Sequence, residues 1–279
     1  MPPRRLRLDA ELVRRGLARS REHASELVAQ GRVKVSGAVA SKPATGVTTD
    51  VAILVTEVDG VPDFVSRGGH KLSGALAAFG PHGFSVTGRR CLDAGASTGG
   101  FTDVLLRAGA AEVVAVDVGY GQLAWSLRQD ERVRVHDRTN IRELTPELVG
   151  GPVEVVVGDL SFISLVLVLD AVLSVCADDA DLALMVKPQF EVGKDRVGKG
   201  GVVRDLDLRA EAVTTVAVAA AERGWGAVMA TTSPLPGPSG NVEFFLWLRR
   251  GPAHVGADDL ARLVRGEDPV GEPGERVEL

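Results

Sequence analysis

Three charged side chains stand where apolar runs of the sequence end or begin. Asp159 and Lys187 each directly follow a continuous apolar run that is typical of a buried strand in a parallel sheet. Ligands bind outside the carboxyl ends of such strands, so we expect the two side chains to share one crevice. Glu243 directly precedes the apolar run 244–248. If that run forms an antiparallel strand, Glu243 faces the same crevice.

Lys71 supplies a fourth charge for this crevice. Apolar residues recur at helical spacing after it, which predicts that Lys71 lies in the first turn of a helix packed on the sheet. Lysines held among carboxylates can accept a proton or stabilise an oxyanion. Two alternatives stay open: Lys71 as a surface lysine whose stem covers apolar side chains, and the adjacent His70 as a structural residue.

A glycine-rich turn, Asp-Ala-Gly-Ala-Ser-Thr-Gly-Gly-Phe, runs from Asp93 to Phe101. Its glycines, Gly95 and Gly99 among them, let backbone N–H groups approach a ligand closely. The spacing lacks the Gly-x-Gly-x-x-Gly of dinucleotide sites. Asp117 ends the next strand, 22 positions after Gly95, where a carboxylate can hold both hydroxyls of a ribose. The pattern favours a nucleoside without a pyrophosphate, such as S-adenosylmethionine, and an ordinary tight turn is the alternative.

Apolar runs alternate with helical periods from Arg89 onward, which predicts βαβ units and a parallel sheet. The predicted fold is an α/β, Rossmann-like domain with a seven-stranded, mostly parallel sheet. Its strands are predicted near 90–94, 112–117, 132–136, 153–159, 182–187, 227–232 and 242–249.

Composition excludes several classes of protein. The chain has 279 residues, of which 45% are hydrophobic and 25% charged, so it can bury a sizeable core and is not disordered throughout. Two cysteines are too few for a disulfide framework and form no metal-ligand spacing, so we expect no metal and a reducing cytoplasm. No secretory signal is visible, and Asp170 interrupts the apolar stretch 160–177, which we interpret as a strand end and a buried helix rather than a membrane span.

The formal net charge of −5 hides a basic N-terminus. Residues 1–42 hold ten Lys or Arg against four Asp or Glu, whereas residues 251–279 hold three basic and seven acidic side chains. A basic segment on an acidic protein suggests a module that binds a polyanion, and a solvated surface is the alternative.

The basic segment carries the pattern of a small α+β domain. Apolar residues at helical spacing predict a helix up to Leu17 and a second helix from a Ser20 cap to Gly31, and short strands follow. This order, with the phrase Leu-Val-Ala-Gln-Gly-Arg-Val-Lys-Val-Ser-Gly, resembles the RNA-binding fold named after the fourth protein of the small ribosomal subunit. The resemblance implies that RNA is the polyanion, and the candidate RNA contacts are Arg14, Arg19, Arg21, Lys34 and Lys42.

Long phrases of the sequence resemble the TlyA family, ribosomal RNA 2′-O-methyltransferases that also carry the name haemolysin. They include Ser-Arg-Gly-Gly-His-Lys-Leu, Asp-Leu-Ser-Phe-Ile-Ser, Lys-Pro-Gln-Phe-Glu-Val-Gly and Pro-Leu-Pro-Gly-Pro-Ser-Gly-Asn-Val-Glu. The resemblance implies an FtsJ-type methyltransferase domain whose catalytic Lys-Asp-Lys-Glu tetrad corresponds to Lys71, Asp159, Lys187 and Glu243. It also implies S-adenosylmethionine contacts at Gly95, Gly99, Phe101, Asp117, Asn140 and Asp159.

The sequence departs from related proteins at two places. Asn140 stands where enzymes of the wider fold have an aspartate, and 62–65 lacks the Arg and Trp that some members carry there. The domains implied are an RNA-binding domain over 1–61, a linker over 62–66, a methyltransferase domain over 67–250 and a flexible acidic tail over 251–279.

The reaction implied is methylation of a ribose 2′-hydroxyl, with cytidine in the RNA of one or both ribosomal subunits as the target. Lys187 is our candidate for the group that takes the proton or stabilises the alkoxide, and Asp159 and Glu243 orient the lysines. Three further RNA contacts are predicted on the basic, glycine-rich loop after Lys187, at Lys194, Arg196 and Lys199, and another at Arg67.

Two other functions remain as alternatives: an RNA-binding scaffold without catalysis, and a haemolysin or cytotoxin. A scaffold would not need all four charges of the tetrad, and a toxin would need an apolar or amphipathic membrane segment. The expected partners are ribosomal RNA and ribosomal subunits, with no membrane, and a monomer is favoured.

Overall fold

The computed structural model describes residues 5–18, 20–56 and 63–267. The chain divides into two compact units, one ending at Asp63 and the other beginning at Phe64.

The N-terminal unit contains two helices and two small sheets. Its elements are β1 (Arg5–Arg7), α1 (Leu8–Arg14), α2 (Arg21–Ala29), β2 (Val33–Val35), β3 (Ala38–Val39), β4 (Gly46–Thr48) and β5 (Ile53–Val55). The strands pair as β1–β4 and as β3–β2–β5, all antiparallel. Apolar side chains of both helices pack with Val33 and Val47 in one core. The predicted α+β unit is confirmed.

One detail of this unit differs from the sequence prediction, and another agrees with it. The first helix ends at Arg14 instead of Leu17, because Gly16 adopts a left-handed φ of +70° that interrupts the helix. The Ser20 hydroxyl accepts a hydrogen bond from the His23 N–H at 3.1 Å, which confirms the predicted cap of α2.

The second unit is built on seven strands. They are β6 (Arg90–Ala94), β7 (Glu112–Val116), β8 (Val133–His136), β9 (Val153–Gly158), β10 (Cys176–Val186), β11 (Trp225–Thr232) and β12 (Phe244–Arg250). Their order is β11–β12–β10–β9–β6–β7–β8, and only β12 runs in the opposite direction to the other six strands. The predicted seven-stranded, mostly parallel sheet is confirmed, although β10 begins six residues earlier than expected.

Helices cover both faces of this sheet. They are α3 (Arg67–Phe79), α4 (Gly100–Arg107), α5 (Trp125–Arg128), α6 (Pro146–Val149), α7 (Leu169–Ser174), α8 (Pro188–Glu191), α9 (Leu206–Ala221) and α10 (Ala257–Val264). One face packs against α3 and α4, and the other packs against α7, α9 and α10. At Gly100, a Cβ atom would lie 2.7 Å from the Gly69 nitrogen, so glycine is required where α4 meets α3.

The predicted flexible tail over 251–279 is wrong for its first part. Leu260 and Val264 of α10 are buried against α9 and β11, because their apolar side chains complete the core on that face. The linker predicted over 62–66 is also shorter, since Phe64 is buried against α3. Residues 57–62 and 268–279 lie outside the described residues, as does Arg19.

The apolar stretch 160–177 is divided among several elements. It contains a loop, a 3-10 turn at Leu165–Leu167, α7 and the start of β10. No helix within the described ranges is both long and apolar enough to cross a membrane.

Candidate active site

The four residues of the predicted tetrad meet at one edge of the large sheet. Val186 of β10 is paired with Phe244 of β12, so Lys187 and Glu243 are the next residues on opposite strands. Asp159 directly follows β9, which runs parallel to β10 on its other side. Side chains alternate along a strand, and these three continue the face on which α3 packs. Lys71 lies on α3.

The tetrad forms two ion pairs. Lys187 Nζ lies 2.5 Å from Asp159 Oδ1, and Lys71 Nζ lies 2.5 Å from Glu243 Oε2. Both lysines and Glu243 are buried, with 6% of Lys71, 7% of Lys187 and 1% of Glu243 exposed. A buried charge is energetically costly unless it is paired, and clusters of paired, buried charges are frequent at functional sites. This arrangement therefore favours a functional cluster over the surface-lysine alternative for Lys71.

Ser161 is a second partner of Lys187 that the sequence interpretation missed. The Lys187 ammonium donates a hydrogen bond to Ser161 Oγ at 2.9 Å. The ion pair with Asp159 and the hydrogen bond to Ser161 together position the Lys187 ammonium.

The glycine-rich turn after β6 has the open backbone that its sequence predicted. Gly95 and Gly99 adopt φ of +87° and +98°, and a Cβ atom at Gly95 would lie 3.0 Å from the Asp159 carbonyl oxygen. Asp117 stands at the end of β7 on the other side of this turn. Its carboxylate accepts hydrogen bonds from the N–H groups of Ser97 at 2.9 Å and Gly119 at 2.6 Å.

Asp93 is a buried carboxylate beneath the turn, and the sequence interpretation gave it no role. Its Oδ2 accepts a hydrogen bond from Thr102 Oγ1 at 2.7 Å, whereas its Oδ1 is buried without a hydrogen-bond partner among the described residues. Burial, with the charges of Asp159 and Asp117 nearby, raises the pKa of Asp93 to about 7. Three carboxylates around one turn make a site that suits a ligand with positive charge.

Two aromatic rings flank the Lys187 segment, and this pair too was missed. Phe162 is 91% exposed, and its ring centroid lies 5.3 Å from that of Phe190 on α8. An exposed ring beside a buried ion pair is unusual, because large aromatic side chains normally lie in the core. Phe162 and Phe190 each lie a few residues after a strand that ends at the site. This position in the sequence is the signal that could have identified them.

Comparison with known proteins identifies the family. A model of the FtsJ-like methyltransferases matches residues 64–250, and a model of the S4 domain matches residues 6–53. The 16S/23S rRNA (cytidine-2′-O)-methyltransferase TlyA of Mycobacterium tuberculosis is 58% identical over 270 residues, which are 95% of this chain and 99% of that relative. The chain belongs to the TlyA family of FtsJ-like methyltransferases.

Other members of the TlyA family are similar over most of the chain. Hemolysin A of Brachyspira hyodysenteriae is 36% identical over 86% of this chain and 98% of its own length. The solved structure of a candidate hemolysin from Streptococcus thermophilus is 35% identical, covers 94% of this chain and 95% of its own, and has a TM-score of 0.73.

Two residues that the TlyA resemblance implies as cofactor contacts have side chains that bind elsewhere in the structure. Phe101 is buried, and its ring stacks on that of Phe245 with centroids 6.0 Å apart, so its side chain belongs to the core between α4 and the sheet. Asn140 Oδ1 accepts a hydrogen bond from the Arg142 N–H at 3.1 Å and caps a 3-10 turn at Ile141–Glu143. Its amide nitrogen and the second lone pair of Oδ1 remain available to a ligand.

The basic loop after Lys187 is anchored at its base by Asn241. Asn241 is 2% exposed, and its amide accepts from the Val203 N–H at 2.9 Å and donates to the Gly201 carbonyl at 2.8 Å. Lys194 and Lys199 are exposed on this loop, whereas Arg196 is bound by Glu211. The loop is therefore tied to the turn that carries Glu243.

Two of the predicted RNA-binding arginines of the N-terminal unit already bind carboxylates. Glu11 is buried and accepts from Arg14 and Arg15, and buried Asp9 accepts from Arg7 and Arg21. Arg14 and Arg21 nonetheless keep about half of their side-chain surface exposed, at 54% and 58%.

The remaining predicted RNA contacts differ in their surroundings. Lys42 is exposed and Lys34 is half-buried at the centre of the β3–β2–β5 sheet. Arg67 begins α3 and is exposed, and it has interactions of its own.

Proposed function

We propose that this protein transfers a methyl group from S-adenosylmethionine to the ribose 2′-hydroxyl of a cytidine in ribosomal RNA. The observation that carries the proposal is the pair of buried ion pairs, Lys187–Asp159 and Lys71–Glu243, at the sheet edge next to the glycine-rich turn. The name of the M. tuberculosis relative, a 16S/23S rRNA (cytidine-2′-O)-methyltransferase, supports the same reaction.

The residues around the turn fit S-adenosylmethionine. Asp117 would hold the ribose hydroxyls, and the open backbone at Gly95 and Gly99 would accept the rest of the nucleoside. The buried Oδ1 of Asp93 and the carboxylate of Asp159 favour a cationic ligand at this place. When bound, S-adenosylmethionine supplies a methyl group on a positively charged sulfur.

The Lys187 ammonium would stabilise the negative charge that develops on the 2′-oxygen as it is methylated, and the hydroxyl proton would pass to water. A ribose hydroxyl is a weak nucleophile at neutral pH, and one fixed donor aimed at the developing charge contributes about 10²–10³-fold to the rate. Asp159 and Ser161 orient the Lys187 side chain and stabilise its ammonium form. Lys71, held in place by Glu243, would add a second fixed ammonium near the developing oxyanion, which needs no reorganisation during the reaction.

Phe162 and Phe190 would receive the target base. Enzymes that act on a nucleotide within structured RNA expose it and stack its base on aromatic side chains. Phe162 offers such a ring directly after the residues that bind Lys187.

The N-terminal S4 unit and the basic loop would bind the RNA backbone through Arg19, Arg21, Lys34, Lys42, Lys194 and Lys199. A ribosomal RNA substrate would put the protein in the cytoplasm, where its two free cysteines would stay reduced. All four tetrad residues come from one chain, so a monomer suffices for the reaction.

The test is methylation of purified ribosomal subunits by the purified protein with S-adenosylmethionine. Mass spectrometry of nuclease digests should detect 2′-O-methylcytidine at a defined position in the RNA. A Lys187→Met variant serves as the control for a contaminating activity. Methylation of a base instead of a ribose, or none on either subunit, would contradict the proposal.

A further inference from the structure

Glu191 joins the two loops that surround Lys187. Its Oε2 accepts a hydrogen bond from Ser164 Oγ at 2.6 Å, and its Oε1 accepts one from the Leu165 N–H at 2.9 Å. Glu191 is the last residue of α8, the helix that begins directly after Lys187. Ser164 and Leu165 belong to the loop after β9.

This loop, residues 159–165, touches the segment 187–191 at several successive points. Asp159 and Ser161 bind the Lys187 ammonium, and Phe162 packs against Phe190. The contacts of Glu191 close the far end of the loop. These contacts together fix the position of the exposed Phe162 ring relative to Lys187.

The backbone at Phe162 explains why the loop needs such an anchor. Phe162 adopts a φ of +65°, in the left-handed region that a bulky side chain rarely occupies. Conformations of this kind persist only where the surrounding structure over-determines them. The Phe162 ring is largely exposed, so its own packing cannot supply that constraint.

Burial makes the contacts of Glu191 strong. Removal of the carboxylate from water raises the pKa of Glu191, and the hydrogen bonds from Ser164 and Leu165 oppose that rise because they stabilise the ionised form. Hydrogen bonds to an ionised acceptor in such surroundings are shorter and stronger than neutral ones. Ser164 is positioned further by its own hydroxyl, which accepts from the Val166 N–H at 3.2 Å.

We propose that Glu191 is a positioning residue for methyl transfer, which holds the loop 159–165 so that Ser161 and Phe162 stay aligned with Lys187. The inference rests on the proposed function, since it assumes that Lys187 and Phe162 receive the target nucleotide. In this role Glu191 acts through its hydrogen bonds to Ser164 and Leu165 and not directly on the reacting atoms.

Three variants test this role. Glu191→Ala removes both hydrogen bonds. Glu191→Gln keeps the shape of the side chain, and its amide can accept from the Leu165 N–H and donate to Ser164 Oγ. Glu222→Ala removes an exposed glutamate at the end of α9 and serves as the matched control.

Two measurements separate positioning from general stability. Hydrogen exchange of the Leu165 and Val166 amides in the full-length protein reports whether the loop is released. Single-turnover methylation of ribosomal subunits, at saturating RNA and cofactor, reports alignment. A misplacement of about 1 Å can lower a rate by about 10²-fold, so we expect Glu191→Ala to lose at least about tenfold.

The expected result is faster exchange and slower transfer in Glu191→Ala, with unchanged affinity for S-adenosylmethionine, recovery in Glu191→Gln and no change in Glu222→Ala. Wild-type transfer by Glu191→Ala despite a released loop would overturn the positioning role and leave the proposed function intact. Equal losses of transfer, cofactor affinity and melting temperature would also overturn it, because they indicate a purely structural role. If the wild-type protein methylates no ribose, both proposals fall.

Discussion

Lys187 and Glu243 lie at the same edge of the large sheet because β12 runs antiparallel to β10. An antiparallel strand presents its beginning where its parallel neighbours end, so Glu243 meets residues that follow β9 and β10. Lys71 then reaches the same edge from α3 and pairs with Glu243, while Lys187 pairs with Asp159.

Replacing Lys187 with methionine should abolish methyl transfer. Methionine keeps much of the apolar stem but removes the ammonium that Asp159 and Ser161 orient. We expect the single-turnover rate to fall by at least about 10²-fold, while calorimetry shows little change in S-adenosylmethionine affinity. Arg262→Met, which replaces a half-exposed arginine of α10, should retain the rate. Near wild-type turnover in Lys187→Met would refute the assignment.

Asp117→Ala should weaken S-adenosylmethionine binding. One carboxylate can hold two ribose hydroxyls through charge-assisted hydrogen bonds worth about 1.5–3 kcal/mol each, so the dissociation constant should rise at least about tenfold. Asp178→Ala, a 96% exposed aspartate at the opposite end of the sheet, is the control. An unchanged dissociation constant in calorimetry would mean that the cofactor lies elsewhere.

Asp93 should make the cofactor-free protein less stable as pH rises. The pKa of Asp93 is about 7 in the fold against an ordinary value of 3.8. Between these two values the folded state binds a proton that the unfolded state has lost, so the contribution of Asp93 to the free energy of unfolding falls with rising pH and is constant above about pH 7.

The measurement is urea unfolding of wild type and Asp93→Asn between pH 4 and pH 8. The neutral amide cannot ionise, so the variant should gain stability relative to wild type up to about pH 7 and no further. A difference that does not depend on pH would show that Asp93 has an ordinary pKa.

Replacing Arg19, Arg21 and Lys34 together with glutamine should weaken binding to ribosomal subunits and flatten its salt dependence. Each lost phosphate contact reduces the log–log salt slope by about 0.7 on single strands. Asp9 keeps Arg7 as a partner when Arg21 is removed, so the N-terminal unit should stay folded. S-adenosylmethionine binding should be unchanged.

A charge-matched control replaces Arg134, Arg262 and Arg265, which are paired arginines of the second unit. Equilibrium binding across a salt series then compares the two triple variants. The same slope in wild type and in the variant of the N-terminal unit would refute its role in RNA docking.

Hydrophobic patterning was sufficient to predict the strands that carry the site. Buried strands require continuous apolar runs, and these runs end where Asp159 and Lys187 begin. The glycine-rich turn and Asp117 were also predictable, because a tight backbone turn requires glycines and the apolar run before Asp117 marks the end of a strand. The α10 helix was not predicted, because its polar, acidic sequence hides the apolar side chains Leu260 and Val264 that pack on α9.

The sequence by itself determined the two-unit organisation, the order of the elements and the charges at the strand ends. Only the tertiary structure decided which lysine pairs with which carboxylate and that Glu191 binds Ser164. It also decided that Asp93 Oδ1 is buried with no hydrogen-bond partner in the described part of the chain. The physical reason is distance along the chain. Lys71 and Glu243 are brought within 2.5 Å by strand register and helix packing, which depend on the whole core rather than on local preference.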